Sequence, residues 1–144
     1  MAHILLTEEK LSADRAVSHV AAPEFGAVVT FVGSIRNNSR GDRVRYLVYE
    51  SYRAMAEKEL ASIIEQAEAR WPVLCSVEHR LGRVEIGDAG VIIVVASTHR
   101  ADAYEANRWI MDAIKQTVPI WKKEYTANGV RWVEGSDVVS AAEA

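Results

Sequence analysis

Apolar positions along the chain change period several times, and each change marks a new element. Ile4 to Thr7 reads as a short strand, and Ser12, a good N-cap, precedes Ala13 to Val20, where Ala13, Ala16, Val17 and Val20 recur at helical spacing. Pro23 and Gly26 end that segment. Ala27 to Val32 is apolar or β-branched at every position, the pattern of a central strand covered on both faces. Asn37 to Arg43 contains no apolar residue and several turn formers, which predicts a mobile exposed loop. Val44 to Tyr52 is a further strand. Ala54 to Arg70 is an amphipathic helix with Ala56, Leu60, Ile63, Ile64, Ala67 and Trp71 on one face, stopped by Pro72.

Val73, Cys75, Val77, His79 and Leu81 then alternate with Leu74, Ser76, Glu78 and Arg80, a strand of period two with Cys75 and His79 on its apolar face. Neither of these two residues is given a role beyond packing or hydrogen bonding. A turn-rich passage punctuated by Gly82, Gly87 and Gly90 leads to Val91 to Ala96, the most uniform apolar run and a second central strand. Residues 101 to 118 form a helix that places Ala103, Asn107, Ile110, Met111, Ile114 and Val118 on one face, with Trp109 exposed on its back. Trp121 to Tyr125 and Val130 to Val133 flank an Asn128-Gly129 pair, a strong hairpin signal, and 136–144 reads as a frayed tail. Strands alternating with three helices, and no internal repeat or linker, predict one α/β or α+β domain over residues 1–144.

Seventeen basic against 20 acidic side chains give a net charge of −3, so any positive site must be local. A general polyanion binder, with its basic domain, is disfavoured. Cys75 is the single cysteine and cannot form an internal disulfide, and the first residues lack a secretory pattern, which predicts a cytoplasmic protein with no membrane segment.

Cationic side chains gather where predicted strands meet helices. Arg36 lies where the first apolar strand ends, and His99 and Arg100 stand between the second and the helix that follows, a position at which α/β sheets commonly bind ligands. Either these side chains, with the backbone N–H groups of that helix start, hold a phosphate, or Arg100 simply pairs with Asp102 or Glu105 on the surface. Lys115, in the last turn of the helix, borders its apolar stripe. Either its stem lies on apolar surface and its ammonium reaches water, or Lys122 or the His99 and Arg100 pair comes within a few ångströms and makes it a nucleophile or proton carrier.

The strings Gly26 to Asn37 (GAVVTFVGSIRN), Ser97-Thr98-His99-Arg100, Trp109 to Asp112 (WIMD), Pro119 to Glu124 (PIWKKE) and Arg131 to Glu134 (RWVE) closely resemble the large, catalytic subunit of molybdopterin synthase, in matching order and spacing. The resemblance implies an α/β hammerhead fold, α+β in class, with a mixed sheet, about three helices and a C-terminal hairpin. It implies a sulfurtransferase that converts cyclic pyranopterin monophosphate into molybdopterin, with no cofactor or metal of its own. The sulfur would come from the C-terminal Gly-Gly thiocarboxylate of a small ubiquitin-like subunit, and two large subunits would form a dimer within a heterotetramer. It makes Lys115 the principal catalytic lysine and Lys122 a second. It puts Arg36, His99 and Arg100 in the substrate pocket, with Lys123, Glu124, Ile35 and Ser34 contributing; some relatives have a lysine where Ser34 stands. A competing expectation is a non-catalytic dimeric module that binds a phosphometabolite and a ubiquitin-like partner with the same arginines. A nucleic-acid binder built on the arginine loop and the four tryptophans fits poorly with a pI of about 5.8.

Overall fold

The computed structural model describes residues 3–133, so the predicted 136–144 tail and Glu134 of the last motif lie outside the described residues. The chain runs β1 (His3–Thr7), α1 (Ala13–Ser18), β2 (Ala27–Ser34), β3 (Asn38–Ser39), β4 (Asp42–Ser51), α2 (Arg53–Arg70), β5 (Val73–Arg80), β6 (Gly82–Glu85), β7 (Ala89–Ser97), α3 (Arg100–Thr117), β8 (Ile120–Thr126) and β9 (Gly129–Val133). This is the expected α+β arrangement with three helices and a C-terminal hairpin, its strands divided between two sheets.

The first sheet is mixed, in the order β1-β5-β7-β2, with β1 and β5 parallel and the other pairs antiparallel. β7 is central, as its unbroken apolar run predicts. Ile93 and Val95 face α2 and α3 among Leu60, Ile64, Val77 and Ile110, while Ile92, Val94 and Ala96 face Ala16 and Val20 of α1. Burial of each valine, leucine or isoleucine among these favours the fold by roughly 1.5–3 kcal/mol. Asn107, on the buried face of α3, donates from Nδ2 to the carbonyls of Val29 (3.1 Å) and Ile93 (3.0 Å), which ties the helix to both β2 and β7.

β2 departs from expectation. It is an edge strand, and Val28, Phe31 and Val32 are exposed. Its apolar run reads as central because periodicity reports which residues avoid water, not whether the cover belongs to the same chain.

The polar positions of β5 also differ from a solvent face. Ser76 and Glu78 are fully buried. Burial alone would raise the carboxyl pKa of Glu78, but bonds from Arg15 (2.7 Å to each oxygen), the Ser12 N–H (3.0 Å) and His3 (3.1 Å) hold it below the ordinary carboxylate value. The buried carboxylate therefore anchors α1 and β1 to the sheet.

The second sheet has the order β3-β4-β8-β9, with β6 also paired to β4, around Ile35, Val44, Leu47 and Val84. The segment 37–43, predicted as a mobile loop, is a tight hairpin. Asn38 and Ser39 pair with Arg43 and Asp42, and the turn residues Arg40 and Gly41 have φ of 51° and 85°, matching a two-residue turn that needs two positive φ angles. β6 lies within the passage predicted only as turns. Trp109 is half-buried, with its ring 5.9 Å from that of Trp71, so it belongs to the packing between α3 and α2 rather than standing exposed.

Candidate active site

The two sheets and the C-terminal end of α3 enclose a cavity of about 200 Å³. The β2–β7 register shifts between Gly33 and Ser34, and this irregularity turns Ser34, Ile35 and Arg36 toward the cavity. Lys115 comes from the last turn of α3 and is partly buried, as its place at the border of the apolar stripe predicts. Val118 N–H closes the helix on the Ile114 carbonyl, and the chain turns into β8, which brings Trp121, Lys122 and Glu124 to the same space.

Of the nine residues singled out from sequence, Ser34, Ile35, Arg36, Lys115, Lys122 and Glu124 share this cavity. Lys123 does not line it, and its ammonium lies 5.2 Å from the Trp132 ring centroid and 5.6 Å from that of Tyr125. His99 and Arg100 lie elsewhere in the chain. Both are exposed at the start of α3, whereas Lys115 is near its end, and fifteen residues of helix separate Arg100 from Lys115 by about 22 Å. Of the two neighbours offered for Lys115, Lys122 shares its cavity, whereas the His99 and Arg100 pair stands far from it inside one chain.

Glu124 is the buried carboxylate of the cavity wall. Arg131 of β9 donates to its Oε1 at 2.9 Å. The same guanidinium donates to Asp42 (2.8 Å) and to the Ser39 carbonyl (2.7 Å), linking the β3–β4 turn to the wall. The Glu124 carboxylate, and after it that of Asp42, raise the Arg131 pKa above its ordinary value against the opposing effect of burial.

Sequence reasoning assigned no role to His79, although its ring lines the cavity. Its Nδ1 lies 2.8 Å from the Arg80 carbonyl, and since a carbonyl only accepts, Nδ1 carries the hydrogen and Nε2 a bare lone pair. Burial pushes the His79 pKa down to about 4; the Arg80 bond opposes this and the Lys115 charge adds to it. The Tyr49 ring meets the imidazole edge-on at 5.0 Å. Tyr49 in turn lies against Gly90, where a Cβ would stand 3.0 Å from the Tyr49 hydroxyl. The alternation of β5 put His79 on the inner face, but only the β5–β7–β4 arrangement shows that this face opens into a cavity there.

Residues 6–117 match the family described as MoaE protein. The chain belongs to the MoaE family. The molybdopterin synthase catalytic subunit of Halalkalibacterium halodurans is 43% identical over 129 residues, which span 89% of this chain and 83% of that protein. A crystal structure of molybdopterin synthase from Staphylococcus aureus superposes with a TM-score of 0.85 at 39% identity, over 91% of this chain and 95% of its own. A complex of subunits 1 and 2 of molybdopterin-converting factor from Helicobacter pylori has the same fold, with a TM-score of 0.70 at 22% identity over 92% and 89% of the two chains. The MoaE match includes Lys115 and stops before β8, so Lys122, Lys123 and Glu124 lie beyond the matched residues.

Among the described residues, no group of three or more His, Cys, Asp or Glu side chains could hold a metal ion. Nor is any described helix long and apolar enough to cross a membrane.

Proposed function

We propose that this MoaE-family chain is the catalytic subunit of a molybdopterin synthase, which transfers two sulfurs to cyclic pyranopterin monophosphate. The observation that carries this reading is the convergence of Lys115, Lys122 and Arg36 on one cavity in a chain that is acidic overall. A phosphorylated substrate and an anionic sulfur donor both need localised cations. The donor is the C-terminal thiocarboxylate of a small ubiquitin-like subunit. Its sulfur attacks a side-chain carbon of the pterin and forms a C–S bond while the C–O bond at that carbon breaks, its oxygen leaving on the phosphate group or, once protonated, as water. Water then cleaves the acyl–sulfur bond, returns the carrier as a carboxylate and leaves the sulfur on the pterin. A second carrier repeats the sequence. Lys115 and Lys122 stabilise the negative charge that develops, and Lys115 also moves protons. The cytoplasm suits such a reaction, and the protein needs no cofactor of its own.

His99 and Arg100 join the site from a second copy of the chain. β2 presents exposed Val28, Phe31 and Val32 on an edge strand. A two-fold axis that sets two β2 segments antiparallel brings the partner copy's residue-27 end beside Ser34. Because Ala27 pairs with Ser97 at that end, the partner's α3 start, with its phosphate-binding character, then faces Arg36. The dimer is the centre of a heterotetramer with one small subunit at each end.

The decisive experiment is single-turnover formation of molybdopterin from the pyranopterin precursor and a thiocarboxylated small subunit, beside a Lys115→Ala control. Product from wild type and none from the variant is expected. Complex formation without product, while a reference synthase works in parallel, would instead support the non-catalytic binding module.

A further inference from the structure

β8 separates two environments. Lys122 and Glu124 line the cavity, and the alternating Lys123 and Tyr125 fall on the opposite face of the second sheet. There Tyr125 stacks on its cross-strand partner Tyr46 with 4.4 Å between centroids, and the Arg83 guanidinium lies 3.8 Å over the Tyr46 ring. Trp132 of β9 stands beside Lys123, and Val130 beside Tyr125. The three helices pack against strands of the first sheet, and on this face of the second Val130 is 51% and Trp132 55% exposed. Clustered open aromatic side chains are the composition of a protein interface rather than of a solvated surface.

The face runs into a groove of about 440 Å³ lined by Glu50, Ser51, Tyr52, Trp121 and Trp132. Tyr52 is 65% exposed, and its ring meets that of Trp121 edge-on at 5.1 Å. Ser51 Oγ is shut off from water and has no hydrogen-bond partner among the described residues, so it gains a bond only from a group brought to it. Trp121 also lines the cavity that holds Lys115 and Lys122, and the two spaces meet at this residue. Next to the groove, Arg53 donates to the Leu6 carbonyl of β1, the edge of the first sheet opposite β2. The groove therefore lies toward the end of the molecule away from the strand assigned to the contact between copies.

We propose that this groove and the aromatic face beside it are the docking surface of the small sulfur carrier, whose C-terminal residues cross from the groove into the cavity beside Trp121. A donor whose C-terminus reacts in the cavity must place its body next to a way in, and Trp121 joins the groove to that cavity. Glycines without side chains need little width, and their main-chain groups can satisfy Ser51 Oγ. Glu50 and Glu85 offset Lys123 and Arg83, so the face suits an apolar patch on a folded protein better than a polyanion. Lys123, which does not line the cavity, thereby gains a place in the complex. The identity of the partner rests on the sulfur-transfer reading.

The test titrates the whole chain with the small subunit in its carboxylate form, so that no chemistry intervenes. Indole N–H resonances separate the outcomes, because Trp121 and Trp132 border the groove while Trp71 and Trp109 pack together between α2 and α3. The carrier is expected to shift the first pair and leave the second in place. A carrier lacking its last two glycines should still shift Trp132. Shifts confined to Trp71 and Trp109, or an unmoved Trp132, would overturn the proposal.

Trp132→Ala and Tyr52→Ala should each weaken carrier binding roughly 10- to 30-fold, as loss of an aromatic anchor does at a protein interface. Arg108→Ala, on the exposed side of α3, should change it less than about twofold. Unchanged affinity in both groove variants would overturn the docking surface and leave sulfur transfer standing. Both variants should keep the wild-type mass in the absence of carrier; a loss of self-association would give the face to a second copy instead. Carrier bound at this face, with no product from wild type, would count against the sulfur-transfer reading alone.

Discussion

Arg131 holds Glu124 from across the β8–β9 hairpin, with Nε donating to a carboxylate that is only 4% exposed. The same guanidinium reaches Asp42 and the Ser39 carbonyl, so one side chain joins the cavity wall to the β3–β4 turn. Lysine carries its three donors on one nitrogen, so it cannot span three acceptors that Arg131 reaches separately from Nε, Nη1 and Nη2. Arg131→Lys is expected to destabilise the protein by about 2 kcal/mol, since a charge-assisted bond to a buried carboxylate is lost. Urea unfolding at neutral pH measures this. Turnover should fall as well, because Glu124 loses its fixed orientation.

A site shared between copies makes a quantitative prediction. Lys115→Ala and Arg100→Ala homodimers should each be inactive or strongly impaired. In a hybrid of the two, one site carries both substitutions and the other carries neither. Random mixing of equal amounts should therefore restore about a quarter of wild-type activity, half of the dimers being hybrid with one intact site each. Mixing followed by a turnover assay would show no recovery if both residues acted within one chain.

Acid should weaken the fold in two stages. His79 has a folded pKa of about 4 against an ordinary 6.5, so between these values the unfolded chain binds a proton that the native state refuses. Stability then rises with pH through that window and is lost on acidification, by up to roughly 3 kcal/mol for a lone group with this shift. Glu78, held below its ordinary 4.5, has the same sign at lower pH, because its contribution is present above the unfolded value and lost as the folded carboxylate is protonated. Urea midpoints between pH 7 and about pH 4 should slope downward toward acid. His79→Gln should flatten the upper part of that slope.

Gly90 is a close-approach glycine. A methyl group there would meet the Tyr49 hydroxyl at 3.0 Å and Ile35 Cδ1 at 3.2 Å. Gly90→Ala is expected to shift Tyr49 away from the His79 ring and to destabilise by about 1–2 kcal/mol through overpacking. A thermal midpoint equal to wild type, with an unchanged Tyr49–His79 contact in a crystal structure of the variant, would show that the neighbours give way freely.

What was legible in the sequence follows from the range of the forces involved. The buried face of α3 could be read at Ala103, Asn107, Ile110, Ile114 and Val118 because helical period is a local property. The β8–β9 hairpin was announced by Asn128-Gly129, also locally. Partnership across the chain was not legible. Glu78 alternates like a solvent-facing residue, and only the arrival of Arg15, Ser12 and His3 makes its burial tolerable. β2 looked central because its apolar surface is real, although the chain leaves part of it uncovered. Within the candidate site, Arg36, Lys115 and Lys122 stood out as cations near element ends. His79 did not, since its chemistry depends on a carbonyl partner and on the opening between two sheets.

Cys75 carries a practical consequence. It is fully buried, burial together with the nearby Glu68 carboxylate pushes its thiol up to about 12, and its backbone N–H is bonded to that same carboxylate. Thiolate is the reactive form, so at neutral pH the described chain is close to inert toward maleimides and iodoacetamide. A cysteine engineered on the exposed β2 edge or at the cavity rim could thus carry a fluorophore or spin label with the native residue left in place. Distances between two copies, or between this chain and a labelled sulfur carrier, could then be followed in solution on an otherwise unaltered protein.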